Sequence, residues 1–155
     1  MDKCVPYKIF TVYKPGISAD NSPMNTMITR FILYGAIGCL MEVFWTGLCA
    51  LFHKDFKLRA NTSIWMFFIY GMVVFLEPVY LLFQAYPMAL RGVIYVLCIF
   101  IGEYITGGFL KRADLCPWDY SGCRYNVQGL IRLDYAPVWF AAGLVFERVF
   151  VLMGV

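Results

Sequence analysis

Four apolar stretches, each about twenty residues or longer, dominate this chain, and each carries one glutamate. They cover about 27–52, 64–83, 88–110 and 135–155. Crossing a bilayer as a helix takes about 20 predominantly apolar residues. Charged residues make up 15% of the 155, against about 25% in an ordinary soluble domain. The expected fold is therefore an all-α integral membrane protein, a multi-pass bundle of four transmembrane helices. Two polar regions flank it: an N-terminal arm over 1–26 and a long loop over 111–134. The arm contains Lys3, Lys8 and Lys14, but Pro6, Pro15 and Pro23 interrupt it. It lacks the apolar core of a secretory signal, so the first helix is expected to act as an uncleaved anchor.

The glutamates are Glu42, Glu77, Glu103 and Glu147, whereas all six aspartates lie outside the apolar stretches. A carboxylate at the centre of a spanning helix costs about 2.5–3.5 kcal/mol on insertion scales. An ionisable residue at such a position is a functional-site candidate. Because successive helices alternate in direction, the four are expected at comparable depth, close to one another near the bilayer centre. Three arrangements would stabilise them: shared protons, a bound ion or pairing with arginine. The functional reading is a substrate- or ion-binding centre for protons or a cationic solute, or an acid/base pair. The structural reading is interhelical hydrogen bonding that fixes the bundle. Any metal held by these four would be an oxygen-loving divalent cation such as magnesium, calcium or manganese. No cofactor is required by the sequence.

Several classes are excluded. The net charge of +3 is too small to argue for nucleic acid. There is no nucleotide-binding Gly-rich Lys-Ser/Thr motif, no His-Glu-x-x-His and no Gly-x-Ser-x-Gly. One histidine, His53, and no paired Cys-x-x-Cys leave no zinc motif among the six cysteines. Cys116 and Cys123 share the polar loop and would bridge in an oxidising compartment or stay free in the cytosol. Lys54, Lys57, Arg59, Lys111, Arg112, Arg124 and Arg132 lie on the side of the two larger loops, against five basic residues on the other. The positive-inside rule then places those loops in the cytosol.

Three local signals stand out. Pro78 follows Glu77 directly and is expected to kink the second helix, freeing a carbonyl beside the carboxylate. Val74–Leu81 resembles Val145–Leu152 with one residue skipped, and Glu42 and Glu103 each precede a Thr-Gly pair. A duplicated helical hairpin, two plus two, accounts for both, with a site near the repeat interface. The loop carries Trp118, Asp119, Tyr120, Ser121 and Asn126, a density of polar and aromatic groups suited to a lid over the glutamates or to an interfacial fold-back.

These residues together resemble a known family. The run Gly38-x-x-x-Glu42, Ser63-x-Trp65 with Tyr70-Gly71, Gly102-Glu103-x-x-Thr106-Gly107, Cys116-Pro117-Trp118-Asp119-Tyr120-Ser121 and Gly129-Leu130-Ile131 is similar to the family containing transmembrane protein 229 of animals. Its bacterial relatives are labelled "putative ABC-transporter type IV", CmpB-like. The resemblance covers about residues 30–153. It implies a polytopic membrane protein, and the glutamates and the loop residues above fall on the family's pattern. With no nucleotide-binding motif, a transporter of this type would need an ATPase partner or another energy source. Three functions follow as expectations. The first is a small permease or ion/solute-binding carrier component, working as a homodimer or with a larger membrane partner. The second is a membrane-embedded enzyme acting on a lipid or lipid-linked substrate. The third is a structural or assembly subunit.

Overall fold

A computed structural model describes residues 27–153. The expected N-terminal arm, with its lysines and prolines, lies outside the described residues. Within them, four helices are long and apolar enough to cross a membrane: Met27–Phe52, Ile64–Phe83, Met88–Arg112 and Leu133–Leu152. Large apolar side chains such as Ile28, Leu40, Phe44, Leu82 and Leu152 lie on the outside. A soluble protein rarely exposes such continuous apolar area, and a lipid-facing one must. The protein is an all-α integral membrane protein.

Helix α1 covers Met27–Phe52. The second span is built of three pieces: α2 (Ile64–Gly71), a 3-10 stretch (Met72–Leu76) and α3 (Glu77–Phe83). Ser63 caps α2 by accepting the Trp65 amide, as N-cap serines do. The break before α3 has a chemical cause. Pro78 cannot donate to the Val74 carbonyl, and the tightened turn lets the Glu77 amide donate to it instead. The carbonyl expected to be free beside Glu77 is therefore taken.

Helix α4 (Met88–Arg112) follows a short turn, and α5 (Ala136–Leu152) ends the bundle. Helix α1 packs along the second span and α4 along α5, giving two hairpins. Glycines permit the close approach within each. A Cβ on Gly38 would stand 2.0 Å from the Tyr70 ring, and one on Gly92 would stand 2.1 Å from the Phe140 ring.

The hairpins meet through an aromatic core. Tyr80 lies edge-on to Tyr95 with centroids 4.9 Å apart, Tyr34 packs edge-on to Phe146, and Tyr80 reaches Phe150. Tyr34, Tyr80 and Tyr95 are the largest fully buried side chains among the described residues. This core belongs to the half of the bundle that holds the start of α1, the α3–α4 turn and the end of α5. In the other half a cleft opens between the hairpins, bridged where Trp45 of α1 packs against Tyr135.

The long loop is folded against the bundle. Strands β1 (Asn126–Val127) and β2 (Ile131–Arg132) pair antiparallel, Asn126 opposite Arg132 and Val127 opposite Ile131. Gln128 and Gly129 turn the chain with φ of 54° and 72°. Leu130 and Ile131 are buried, and the Trp118 indole donates to the Leu130 carbonyl at 2.9 Å. A Cβ on Gly129 would meet Ser121 Oγ at 2.4 Å and Asp119 Oδ1 at 2.8 Å. Gly129→Ala therefore combines a clash with a left-handed φ. It is expected to destabilise the docked loop by about 1–3 kcal/mol, read as faster limited proteolysis between Arg112 and Arg132.

Candidate functional site

The four glutamates divide into two environments. Glu77 and Glu147 belong to the aromatic half and are ion-paired. Arg30 Nη1 stands 3.2 Å from Glu77 Oε2, and Arg91 Nη1 stands 3.3 Å from Glu147 Oε1. Tyr34 donates to Glu77 Oε1 at 3.0 Å. Tyr95 faces Glu147 in the equivalent place without reaching hydrogen-bonding geometry. In both arginines Nε is buried without a partner. Arg91 also donates to the Gln84 carbonyl at 3.0 Å, fastening the α3–α4 turn. Arg148, next to Glu147, points outward.

Glu42 and Glu103 lie at the other level. Arg30 and Glu42 are twelve residues apart on α1, as are Arg91 and Glu103 on α4, which is about 18 Å of helix. The expected convergence near the bilayer centre therefore does not occur. Among the described residues, no group of three or more His, Cys, Asp or Glu side chains could hold a metal ion. Glu42 is also less central than its place in α1 suggests. Helix α1 runs on for about 15 Å past it to Phe52, and loop 53–63 returns along that overhang. Thr46 accepts the Asn61 amide at 3.2 Å. Thr62, at the start of the second span, donates to Glu42 Oε2 at 2.9 Å.

Glu42 and Glu103 both line a cavity of about 720 Å³ walled by α1, α2, α5 and the loop, with Glu103 reaching it from α4. Glu103 also lines a second, more apolar cavity of about 340 Å³ between the second span and α4, walled by Val73, Leu76 and Ile99. It thus stands where the two hollows adjoin. Its carboxyl faces the indole of Trp139, and neither Glu103 Oε2 nor Trp139 Nε1, both buried, reaches hydrogen-bonding geometry.

Of the loop residues, Trp118 and Tyr120 line the larger cavity. Burial and the nearby Glu103 push the Tyr120 phenol above its ordinary range, so it stays a neutral hydroxyl. Asp119, Ser121 and Asn126 hold the loop in shape and lie outside the cavity lining. Ser121 donates to Asp119 Oδ1 through its hydroxyl at 2.6 Å and its amide at 3.0 Å. Asn126 accepts the Gly129 amide and donates to the Cys123 carbonyl. Cys116 and Cys123 are separate thiols, Cys116 directed at the Trp118 carbonyl.

The Ser121 hydroxyl, then its amide, hold the Asp119 carboxyl below its ordinary value. A depressed carboxyl contributes stability above its unfolded value and loses it as pH falls through the folded one. Loop docking is expected to be flat from neutral pH down to the ordinary aspartate value of 3.8 and to weaken below it. Trp118 emission against pH measures this.

Arg30 and Arg91 stand near helix ends, where long basic side chains can snorkel to the membrane interface, so the sequence alone does not point them at the glutamates. The available signal was a repeated pattern: Arg30-x3-Tyr34-x7-Glu42 recurs as Arg91-x3-Tyr95-x7-Glu103. Both hairpins place the Arg and Tyr of this pattern beside a glutamate of the following span. The model of the family described as "Putative ABC-transporter type IV" matches residues 29–153, which takes in both hairpins and the docked loop. The chain belongs to this family. In this putative ABC-transporter type IV member, the matched region contains all four glutamates and both arginines of the ion pairs. No solved structure matches the chain.

Proposed function

We propose that this chain is a small permease or carrier component whose binding centre is the cleft pair Glu42 and Glu103, taking up a proton or a cationic solute. The observation that carries the reading is the partition of the glutamates. Glu77 and Glu147 are each neutralised by an arginine of their own hairpin, whereas Glu42 and Glu103 share a cavity between the two hairpins. Two hairpins joined at one end around a carboxylate-bearing cleft suit alternating exposure by rocking of one against the other. Membership of a transporter-type family supports the same reading. A homodimer or a larger membrane partner would complete the pathway.

The test is cation flux in proteoliposomes of the purified protein, with a pH-sensitive dye inside. The native protein is expected to dissipate an imposed proton or cation gradient, and Glu103→Gln to lose at least about tenfold of that rate, equivalent to about 1.4 kcal/mol. Equal flux in the native protein, Glu42→Gln and Glu103→Gln would refute the reading.

A further inference from the structure

We propose that the solute of this cleft is an organic ammonium ion, a quaternary or alkylated amine, held by aromatic faces and the two carboxylates. This rests on the assignment of the cleft as the binding centre. Seven aromatic side chains line the larger cavity together with Glu42 and Glu103, among them Trp45, Tyr70, Trp118, Tyr120, Tyr135 and Trp139. No lysine or arginine lines it among the described residues. Three of the chain's four tryptophans are thus gathered at one hollow.

Such a wall combines two attractions for a poorly hydrated cation. Ring faces stabilise an ammonium within about 6 Å of their centroids, most strongly when water is excluded, and the carboxylates neutralise its charge. A small, strongly hydrated metal ion would instead ask for several converging oxygens, which the cleft does not offer. The rings are braced for the task. Tyr135 packs edge-on to Trp45 and to Tyr120, with centroids 5.9 Å apart in each pair. The same chemistry is already used once: the Arg132 guanidinium lies 4.3 Å from the Tyr135 centroid, its charge matched by Asp134. The apolar hollow beside Glu103 offers room for an alkyl portion of the same molecule.

An ammonium of this kind is found both in free solutes and in choline lipid headgroups, and the experiment separates them. Tryptophan emission of the protein in maltoside detergent is titrated with tetramethylammonium chloride, against sodium chloride at equal ionic strength. A saturable change with tetramethylammonium alone, weakened about tenfold in Glu103→Gln and several-fold in Trp45→Leu, supports a free organic cation. Trp65→Phe, outside the cleft, should respond as the native protein does. Melting temperatures identify any variant that fails through misfolding, and Tyr120→Leu then takes the place of Trp45→Leu.

No response in detergent, with emission that differs between phosphatidylcholine and phosphatidylglycerol nanodiscs in the native protein but not in Glu103→Gln, supports the lipid headgroup. No response in either medium overturns the organic-cation proposal. In that case, lost flux in Glu103→Gln would leave the carrier reading standing with another cation, and unaltered flux would remove both.

Discussion

Replacing Arg30 with methionine is expected to destabilise the protein by about 3–5 kcal/mol, because it leaves the Glu77 carboxylate buried without its counter-charge. The paired side chains are only 15% and 10% exposed, so solvent screening does little to soften the loss. Arg91→Met should behave alike, with Glu147 as the stranded group and side-chain exposures of 21% and 11%. It also removes the donor to the Gln84 carbonyl, so the α3–α4 turn should loosen with it. Replacing both members of a pair, as in Arg30→Met with Glu77→Leu, should recover most of the loss, since two apolar groups of similar volume need no charge compensation. The check is a double-mutant cycle on unfolding free energy in bilayer or detergent. A strong coupling within each pair and near-additivity between pairs are expected, because the two pairs have no partner in common.

The second large effect is steric. Gly38→Ala is expected to cost about 3 kcal/mol, at the upper end of what overpacking does in a filled interior. The new methyl would stand 2.0 Å from Tyr70 Cγ and 2.3 Å from its Cβ. These atoms lie at the root of the side chain, so Tyr70 cannot swing clear without moving its helix. Because Tyr70 also stacks on Phe146 and walls both cavities, the same substitution should disturb the cleft. Gly92→Ala should cost less, since the methyl meets the outer atoms of the Phe140 ring, which can tilt. Gly102→Ala is the control. Nothing lies within 4 Å of its Cβ position, and an alanine there should gain about 0.5–1 kcal/mol through helix propensity. Thermal unfolding of the three variants in one detergent orders them.

The spanning helices were legible because hydropathy and length alone specify them. The signal is strongest where packing matters least, on lipid-facing residues such as Ile28 and Leu82. The arrangement of the glutamates was not legible, because it depends on which helix end each carboxylate faces. Arg30 and Arg91 look like interfacial anchors in a linear reading. Their reach inward to Glu77 and Glu147 becomes apparent only when the spans are placed side by side. Glu42 illustrates the same difficulty. Its position is central in α1, yet the overhang of α1 beyond the second span brings Thr62 beside it. The loop was legible as an ordered aromatic segment, and its tight turn was not. Gln128 carries a positive φ that nothing in its side chain requests, and it is the neighbouring Gly129, packed against Ser121 and Asp119, that fixes the turn.

The repeated Arg-Tyr-Glu pattern changes how the glutamates are to be read. A carboxylate that stands beside an arginine and a tyrosine of its own hairpin, as Glu77 and Glu147 do, braces that hairpin. A carboxylate that lines a hollow with an unsatisfied oxygen, as Glu103 does, contributes little to such bracing and is available for a ligand. The division of labour between the two levels is the centre of the account.

Its most direct test compares Glu42→Gln, Glu77→Gln, Glu103→Gln and Glu147→Gln in one experiment: phenotypic complementation in cells, with the melting temperature of each purified protein. Glutamine keeps size and hydrogen bonding while removing the charge. Glu77→Gln and Glu147→Gln are expected to lower the melting temperature, whereas Glu42→Gln and Glu103→Gln are expected to melt like the native protein and fail to complement. Full complementation by both cleft variants, or unchanged melting in both ion-pair variants, would contradict this division of labour.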